Sequence, residues 1–187
     1  MAMATAVPHY TANEVRQFDD PRLRFEVIRG ELLVSPAPGL PHQLLVVELI
    51  RLLSDHLDQH HLGFVLPGPF EVQLADDSAV QPDVLVILSG HGPQPTRERL
   101  YGPPALVIEI ISYSSKRTDR LQKRQLYLEE GVSEYWVVDP ELKQLERWRA
   151  GDQTAEILQD EVTWQPAPEA PPLRIALRQL FERSAVL

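Results

Sequence analysis

The sequence predicts an α/β fold in which a mixed central sheet is flanked by helices. Two apolar runs carry this prediction, Asp83 to Leu88 and Ala105 to Ile111. Neither alternates between apolar and polar residues, which is typical of strands covered on both faces. A segment with leucines at helical spacing, His42 to His60, precedes both runs, and a second helical segment, Lys116 to Glu130, follows them. We therefore expect helices on both faces of the sheet.

The remaining elements follow from turn, capping and alternation signals along the chain. Ser89 to Pro104 is rich in glycine and proline and is predicted to be a loop, while Gly63 is predicted to end the long helix. Candidate helix caps are Ser112, Ser114 and Ser115. The other predicted elements are a capped helix over Tyr10 to Phe18, strands over Phe25 to Ile28 and Glu31 to Ser35 with a tight turn at Gly30, strands over Phe64 to Leu66, Phe70 to Leu74 and Glu134 to Pro140, an antiparallel C-terminal extension with a hairpin of Gln144 to Trp148 against Ala155 to Leu158, and a last helix over Ile175 to Phe181.

Composition sets the outer limits of fold and function. The chain has 187 residues, 43% of them hydrophobic, which suits a single domain over residues 1–187 with its core at about 24–140. The absence of cysteine excludes disulfides, thiolate metal sites and cysteine nucleophiles. No segment approaches the length of a membrane span, and we expect a cytoplasmic protein that does not contact a membrane.

The formal net charge of -9 counts against a protein whose main task is to hold nucleic acid. It leaves a metal-dependent nuclease open, because clustered carboxylates add negative charge until a cation occupies them. Several basic residues gather in the segment 116–124. A charge run of this kind is also typical of a solvated helix face.

Glu109 is the most informative single residue, because it interrupts an otherwise apolar strand. An ionised carboxylate buried there costs several kcal/mol, on the order of the penalty for any buried charge, unless it is paired or binds a metal. The alternative is an internal pair with arginine or lysine, or an exposed strand edge.

Asp83 follows Pro82 at the start of the other apolar strand, where proline and aspartate are also ordinary residues for a strand start. If the two strands are neighbours, Asp83 and Glu109 converge on one hard cation. Mg²⁺ is typically held by one or two carboxylates together with waters and substrate phosphate. We therefore predict a site for Mg²⁺ or Mn²⁺ at these two carboxylates.

An ordered set of short motifs resembles the Uma-two family of restriction endonucleases, within the PD-(D/E)XK nuclease superfamily. The matching residues are Gly30-Glu31-Leu32, Ser35-Pro36-Ala37-Pro38 with His42, Val80-Gln81-Pro82-Asp83-Val84, Val107 to Ile111, Asp119 with Lys123 and Tyr127, and Gly131 to Pro140. Together they span about Glu26 to Pro140. Ile111 stands where the superfamily motif has its strand lysine.

The resemblance implies a restriction-endonuclease-like fold and a set of site residues. Asp83, Glu109 and Lys123 are the catalytic candidates, with Lys123 supplied by the following helix in place of the strand lysine. The supporting candidates are Glu31, His42, Asp119 and Tyr127. On a helix Asp119, Lys123 and Tyr127 share one face, although an ordinary Asp-to-Lys helix pair has the same spacing.

These residues predict metal-assisted hydrolysis of DNA phosphodiester bonds. Lys123 would orient the water or neutralise the oxyanion, so Lys123→Ala is expected to lower turnover while barely changing thermal stability. A catalytically silent binding or assembly module remains a second hypothesis, favoured by the net charge and the lost strand lysine. A hydrolase of small phosphorylated molecules is a third. Tyr135 and Trp136 fit either a homodimer interface or ordinary core.

Overall fold

The structure, a computed structural model, describes residues 8–90, 92–93, 95–112 and 115–184, with the backbone alone for Lys116. The helices are α1 (Ala12–Val15), α2 (Leu40–His60), α3 (Lys116–Thr118), α4 (Arg124–Glu129) and α5 (Leu177–Ser184), and a π-helical turn, Asp119–Lys123, joins α3 to α4. The strands are β1 (Leu23–Ile28), β2 (Glu31–Pro36), β3 (Gly63–Pro67), β4 (Glu71–Ala75), β5 (Ser78–Val80), β6 (Val84–Leu88), β7 (Arg99–Tyr101), β8 (Leu106–Ile110), β9 (Glu134–Asp139), β10 (Gln144–Arg149), β11 (Glu156–Leu158), β12 (Glu161–Trp164) and β13 (Leu173–Ala176).

The central sheet has six strands in the order β11-β10-β9-β8-β6-β3. The pair β8 and β9 is parallel and the other pairs are antiparallel, so the sheet is mixed, as predicted. Every residue of β6 and of β8 is buried, because both strands lie inside the sheet and are covered on both faces. The order β9-β10-β11 confirms the predicted antiparallel extension.

The two faces of the central sheet pack against different layers. Val84 and Val86 of β6 pack with α2 and α5, whereas Leu85 and Ile87 pack on the other side with α4 and the second sheet. That second sheet has the order β2-β1-β5-β4-β7, and β12 with β13 forms a separate hairpin. The predicted arrangement of helices on both faces of a mixed sheet is confirmed.

Several local predictions are confirmed with small shifts of their ends. Thr11 caps α1 in a reciprocal hydrogen-bond pair with Glu14, which is the capping-box arrangement. The turn between β1 and β2 has φ values of 50° at Arg29 and 79° at Gly30. A two-residue hairpin turn of type I′ requires positive φ at both of these positions. Tyr135 and Trp136 are fully buried in the core, which removes them as interface residues.

Other local predictions are wrong. The long helix ends at His60, where His61 adopts a left-handed conformation, and Gly63 instead begins β3. Ile175 lies in β13 rather than in the last helix, which starts at Leu177. The predicted loop contains β7, and the short strands β5 and β12 were not predicted. Ser114, a predicted cap, lies outside the described residues.

None of the described helices is long and apolar enough to cross a membrane.

Candidate active site

Asp83 and Glu109 lie side by side on neighbouring antiparallel strands. Val84 of β6 pairs with Ile108 of β8, so the residue before Val84 faces the residue after Ile108. Val84 and Ile108 both pack toward α2. Because side chains alternate along a strand, Asp83 and Glu109 extend from the opposite face. The two apolar strands are therefore neighbours, which meets the condition under which the sequence brings the two carboxylates together.

Asp83 is 5% exposed, and both of its oxygens have partners. Oδ1 accepts from Arg24 Nη1 at 3.1 Å, while Oδ2 accepts from the backbone N–H of Ile110 at 2.9 Å and from His42 Nε2 at 2.9 Å. Burial acts to raise the pKa of Asp83, but His42, Arg24 and the Ile110 amide lower it to about 2. Asp83 is therefore an ionised carboxylate at neutral pH.

Glu109 is 2% exposed, and its hydrogen-bond partners come from the π-helical turn and α4. Its Oε1 accepts hydrogen bonds from Lys123 Nζ at 3.0 Å and from the Tyr127 hydroxyl at 2.9 Å. Burial raises the pKa of Glu109 well above its ordinary value; Lys123 opposes this rise, and the neighbouring carboxylates, Asp83 first, add to it. The internal ion pair that the sequence left open is present, and its cation is the lysine predicted for the same site.

Lys123 is shared between several buried carboxylates. It is 4% exposed, and its Nζ lies 3.0 Å from Glu26 Oε1, 3.0 Å from Glu109 Oε1 and 3.7 Å from Asp119 Oδ1. Burial alone would lower the pKa of Lys123, but these carboxylates raise it well above the ordinary value, so the ammonium stays charged. The expectation that Lys123→Ala barely changes thermal stability does not fit this location, because removal would leave buried carboxylates without their cation.

Asp119 and Lys123 lie at the two ends of the π-helical turn, and both reach the interior. Asp119 is buried at the first position of the turn and Lys123 at the last, and Tyr127 follows one turn later, fully buried. The Tyr135 hydroxyl donates to the backbone carbonyl of Asp119 at 3.0 Å. Burial raises the pKa of Asp119, against the influence of Lys123 and of a hydrogen bond with Ser115. Wide turns of this kind are frequent at functional sites.

Two residues of the cluster were missed from the sequence, Arg24 and Glu26 of β1. Glu26 is buried, its Oε1 accepts from the backbone N–H of Gln81 at 2.7 Å, and the same oxygen contacts Lys123. The signal was available, since Glu26 stands between Phe25 and Val27 in an apolar strand, as Glu109 does in β8. Nothing comparable identifies Arg24, which follows an ordinary strand start.

The supporting candidates divide into those near the cluster and one away from it. His42, Asp119 and Tyr127 all contact Asp83, Lys123 or Glu109 directly. Glu31 does not: it is exposed at the start of β2, where its carboxylate accepts a hydrogen bond from Gln122 at 2.9 Å.

The cluster carries an excess of negative charge next to a cavity. Four buried acids, Glu26, Asp83, Glu109 and Asp119, face the two fixed cations Arg24 and Lys123, so the acidic groups outnumber the fixed cations by two. A cavity of about 250 Å³ opens onto them. Its wall is formed by the chain from β2 to the start of α2, and by Ser112, Ser115 and Thr118.

These residues fit a hard divalent cation by charge and by donor type. All four acids offer oxygen ligands, which Mg²⁺ and Mn²⁺ prefer, and no thiolate is present in the chain. Among the described residues no three acidic or histidine side chains are placed to share one metal ion. Two carboxylates, with water and phosphate oxygens, suffice for Mg²⁺. The buried Nδ1 of His42 has no hydrogen-bond partner in the described part of the chain, which leaves an acceptor for such a water if the ring is neutral.

Comparisons with known proteins show one family and one similar fold. The model of the Uma-two family, Uma2, described as "Putative restriction endonuclease", matches residues 10–178. No curated protein matches the chain. The fold is similar to the crystal structure, at 1.96 Å resolution, of a "putative nuclease belonging to DUF820" from Anabaena variabilis ATCC 29413, with a TM-score of 0.77. The two share 17% sequence identity over 94% of this chain and 99% of the other, and at that identity the likeness concerns the fold.

Proposed function

The chain belongs to the Uma-two family, and we propose that it is a metal-dependent endonuclease that hydrolyses phosphodiester bonds of DNA. One observation carries the proposal: Asp83 and Glu109 face each other across β6 and β8, and Lys123 Nζ lies 3.0 Å from Glu109. Two acidic oxygens beside a charged ammonium are the groups that metal-assisted phosphodiester hydrolysis requires. The neighbouring carboxylates supply the remaining charge that a divalent cation would balance.

Asp83 and Glu109 would hold Mg²⁺ or Mn²⁺. The ion, when bound, lowers the pKa of a coordinated water and stabilises negative charge on the phosphate oxygens. Asp83 suits this role because its low pKa keeps it ionised at neutral pH. In Glu109 a raised pKa and the Lys123 contact mean that a cation competes with the ammonium, and we expect weak binding of the free ion.

Lys123 acts on the reacting phosphate. Hydrolysis forms a bond between a water oxygen and phosphorus, breaks one ester P–O bond, and transfers a proton from the water while the leaving oxygen gains one. An ammonium beside the site can donate a hydrogen bond to the attacking water or to a non-bridging oxygen, where negative charge grows in the transition state. Lys123 remains protonated for this task because of its carboxylate neighbours.

Glu26 positions Lys123 rather than touching the substrate. Its Oε1 lies as close to Lys123 Nζ as that of Glu109, at 3.0 Å, and is itself fixed by the Gln81 amide. When Glu109 shares its oxygens with a cation, Glu26 keeps the ammonium in place. Tyr127 plays the same part for Glu109, and His42 for Asp83, each through one hydrogen bond.

Two other functions have a specific observation in their favour. A silent binding or assembly module is favoured by the net charge of -9 and by a lysine fully engaged with carboxylates. A hydrolase of small phosphorylated molecules is favoured by a confined cavity of about 250 Å³ in which the charged groups converge.

Cleavage assays separate these functions. Purified protein is incubated with supercoiled plasmid, its denatured single strands, RNA and a small chromogenic phosphodiester, each with Mn²⁺ or with EDTA. We expect Mn²⁺-dependent cleavage of DNA. Turnover of the small phosphodiester alone would identify the small-molecule hydrolase, and no turnover of any substrate by a protein that binds Mn²⁺ would leave the silent module.

A further inference from the structure

Aliphatic and proline side chains form one wall of the site's cavity. Val34, at the edge strand β2, lines the cavity and is 50% exposed, and Pro36 and Ala37 beside it also line the cavity and are exposed. These side chains offer van der Waals contact and no charge. A ligand that covers them must present an apolar surface of its own.

The basic side chains of the cavity wall are already neutralised by acidic neighbours. The cations that line the cavity, Arg24 and Lys123, pair with Asp83, Glu26 and Glu109. Elsewhere in the described residues the same holds for many arginines, each within ion-pair distance of a carboxylate: Arg16, Arg22, Arg29, Arg51, Arg99, Arg120, Arg147, Arg149, Arg178 and Arg183. A phosphate would have to compete with those carboxylates.

These two features favour one physical form of DNA. The outer surface of a duplex presents phosphates and sugars, so its binding depends on many free cations. An unpaired strand also exposes the flat apolar faces of its bases, and contacts between these faces and apolar side chains add affinity that does not depend on cations. Asp83, Glu109 and Lys123 are all at most 5% exposed, so a phosphodiester reaches them through the cavity, which a flexible unpaired strand enters more readily than a rigid duplex.

Resting on the proposed nuclease function, we infer that the site takes a phosphodiester flanked by unpaired nucleotides, and that the wall at Val34 contacts their bases. Single-stranded DNA, or the unpaired part of a branched or bulged duplex, is then the substrate class. Few phosphates are neutralised in such a complex. With two of them, the salt slope for a single strand is about -1.4, and affinity falls about sevenfold between about 50 and about 200 mM salt.

The test is a binding measurement that does not depend on turnover. Fluorescence anisotropy of a labelled single strand of about 20 nucleotides, long enough to exceed a single-strand binding site, is compared with that of the same sequence as a duplex, in Ca²⁺ and across the salt range. We expect the single strand to bind at least about tenfold tighter than the duplex. Val34→Ser should weaken single-strand binding about fivefold, from the loss of one half-buried aliphatic contact.

Val47→Ser is the matched control, since Val47 is 61% exposed on α2 and does not line the cavity. It should bind as wild type does. Equal or tighter binding of the duplex, a loss of affinity above about a hundredfold over the salt range, or an unchanged affinity of Val34→Ser each overturns the inference. A single-strand preference without cleavage in Mn²⁺ would leave this inference standing and overturn the nuclease proposal, so the two failures are distinct.

Discussion

Lys123→Met should destabilise the protein far more than Glu109→Gln, which removes the charge of a carboxylate that Lys123 contacts. Lys123→Met keeps the aliphatic stem in the core but leaves Glu26, Glu109 and Asp119 without the ammonium that they share. Glu109→Gln leaves Lys123 with Glu26 at 3.0 Å, and the amide oxygen can still accept from Lys123 and Tyr127. The asymmetry follows from the excess of acid over base in the cluster.

The magnitudes follow from burial. Breaking a buried ion pair by removing one partner costs about 3–5 kcal/mol, which we expect for Lys123→Met at neutral pH. Glu109→Gln should stay within about 1 kcal/mol of wild type, because a neutral hydrogen-bonding group replaces a carboxylate whose charge burial already disfavours. For a chain of this size, each kcal/mol shifts the melting temperature by about 2–4 °C.

Lowering the pH should reverse part of the destabilisation that Lys123→Met causes. A carboxyl with a raised folded pKa stabilises the protein below its unfolded value and loses that contribution as pH rises through the folded value. Burial raises the pKa of Glu109 well above 4.5, and loss of Lys123 removes the main opposing influence. The deficit of Lys123→Met should therefore shrink as the pH is lowered toward the unfolded value.

Urea unfolding followed by circular dichroism measures all of these quantities. The double variant Glu109→Gln with Lys123→Met is the control, and it should be more stable than Lys123→Met alone because one uncompensated carboxylate is gone. Equal destabilisation by Glu109→Gln and Lys123→Met, or a destabilisation by Lys123→Met that does not depend on pH, would show that Lys123 does not neutralise these buried carboxylates.

Three further predictions concern metal, pH and positioning. Mn²⁺ should raise the melting temperature of wild type and leave that of Asp83→Asn unchanged; equal shifts for both would remove Asp83 from the metal site. Because the pKa of Asp83 is lowered from 3.8 to about 2, its charge contributes about 2 kcal/mol, present above pH 3.8 and lost as pH falls through about 2. The stability gap between wild type and Asp83→Asn, measured by urea unfolding, should narrow over that interval, and a constant gap would contradict it. Glu26→Gln should lower turnover without changing Mn²⁺ affinity by calorimetry, while Glu31→Gln, at an exposed acid outside the cluster, should change neither; equal losses of turnover in both would argue against a positioning role for Glu26.

The sequence predicted the strands that hold the site because their physical signals are local and strong. An acid within a buried apolar strand must be paired with a cation or bind a metal, and Glu109 pairs with Lys123. Neighbouring strands then brought Asp83 beside it. The short strands β5, β7 and β12 were missed because a three- or four-residue strand depends on its partners more than on its own composition.

The part of the site that lies on the π-helical turn and α4 could be predicted only in part. The spacing of Asp119, Lys123 and Tyr127 indicated one face, but whether that face met solvent or the sheet depended on tertiary packing. The π-helical turn also has no local signature in the sequence. Glu26 carries the same signal as Glu109, since it is an acid between two apolar residues of a predicted strand. Its burial beside a cation could therefore have been predicted from the sequence.

The most direct test of the account is single-turnover cleavage of DNA in Mn²⁺ by wild type and Glu109→Gln. The Glu109 variant is chosen because it should fold, so a loss of activity reports on the site. Supercoiled plasmid and its denatured single strands serve as substrates, and Arg117→Ala, an exposed cation on α3, controls for a general loss of phosphate attraction. We predict cleavage by wild type and by Arg117→Ala, and a rate lower by at least about a hundredfold for Glu109→Gln, because the variant loses one of the two carboxylates that would hold the metal ion, and with it the charge stabilisation that the ion supplies. A Glu109→Gln protein that cleaves DNA as fast as wild type would contradict the proposed site.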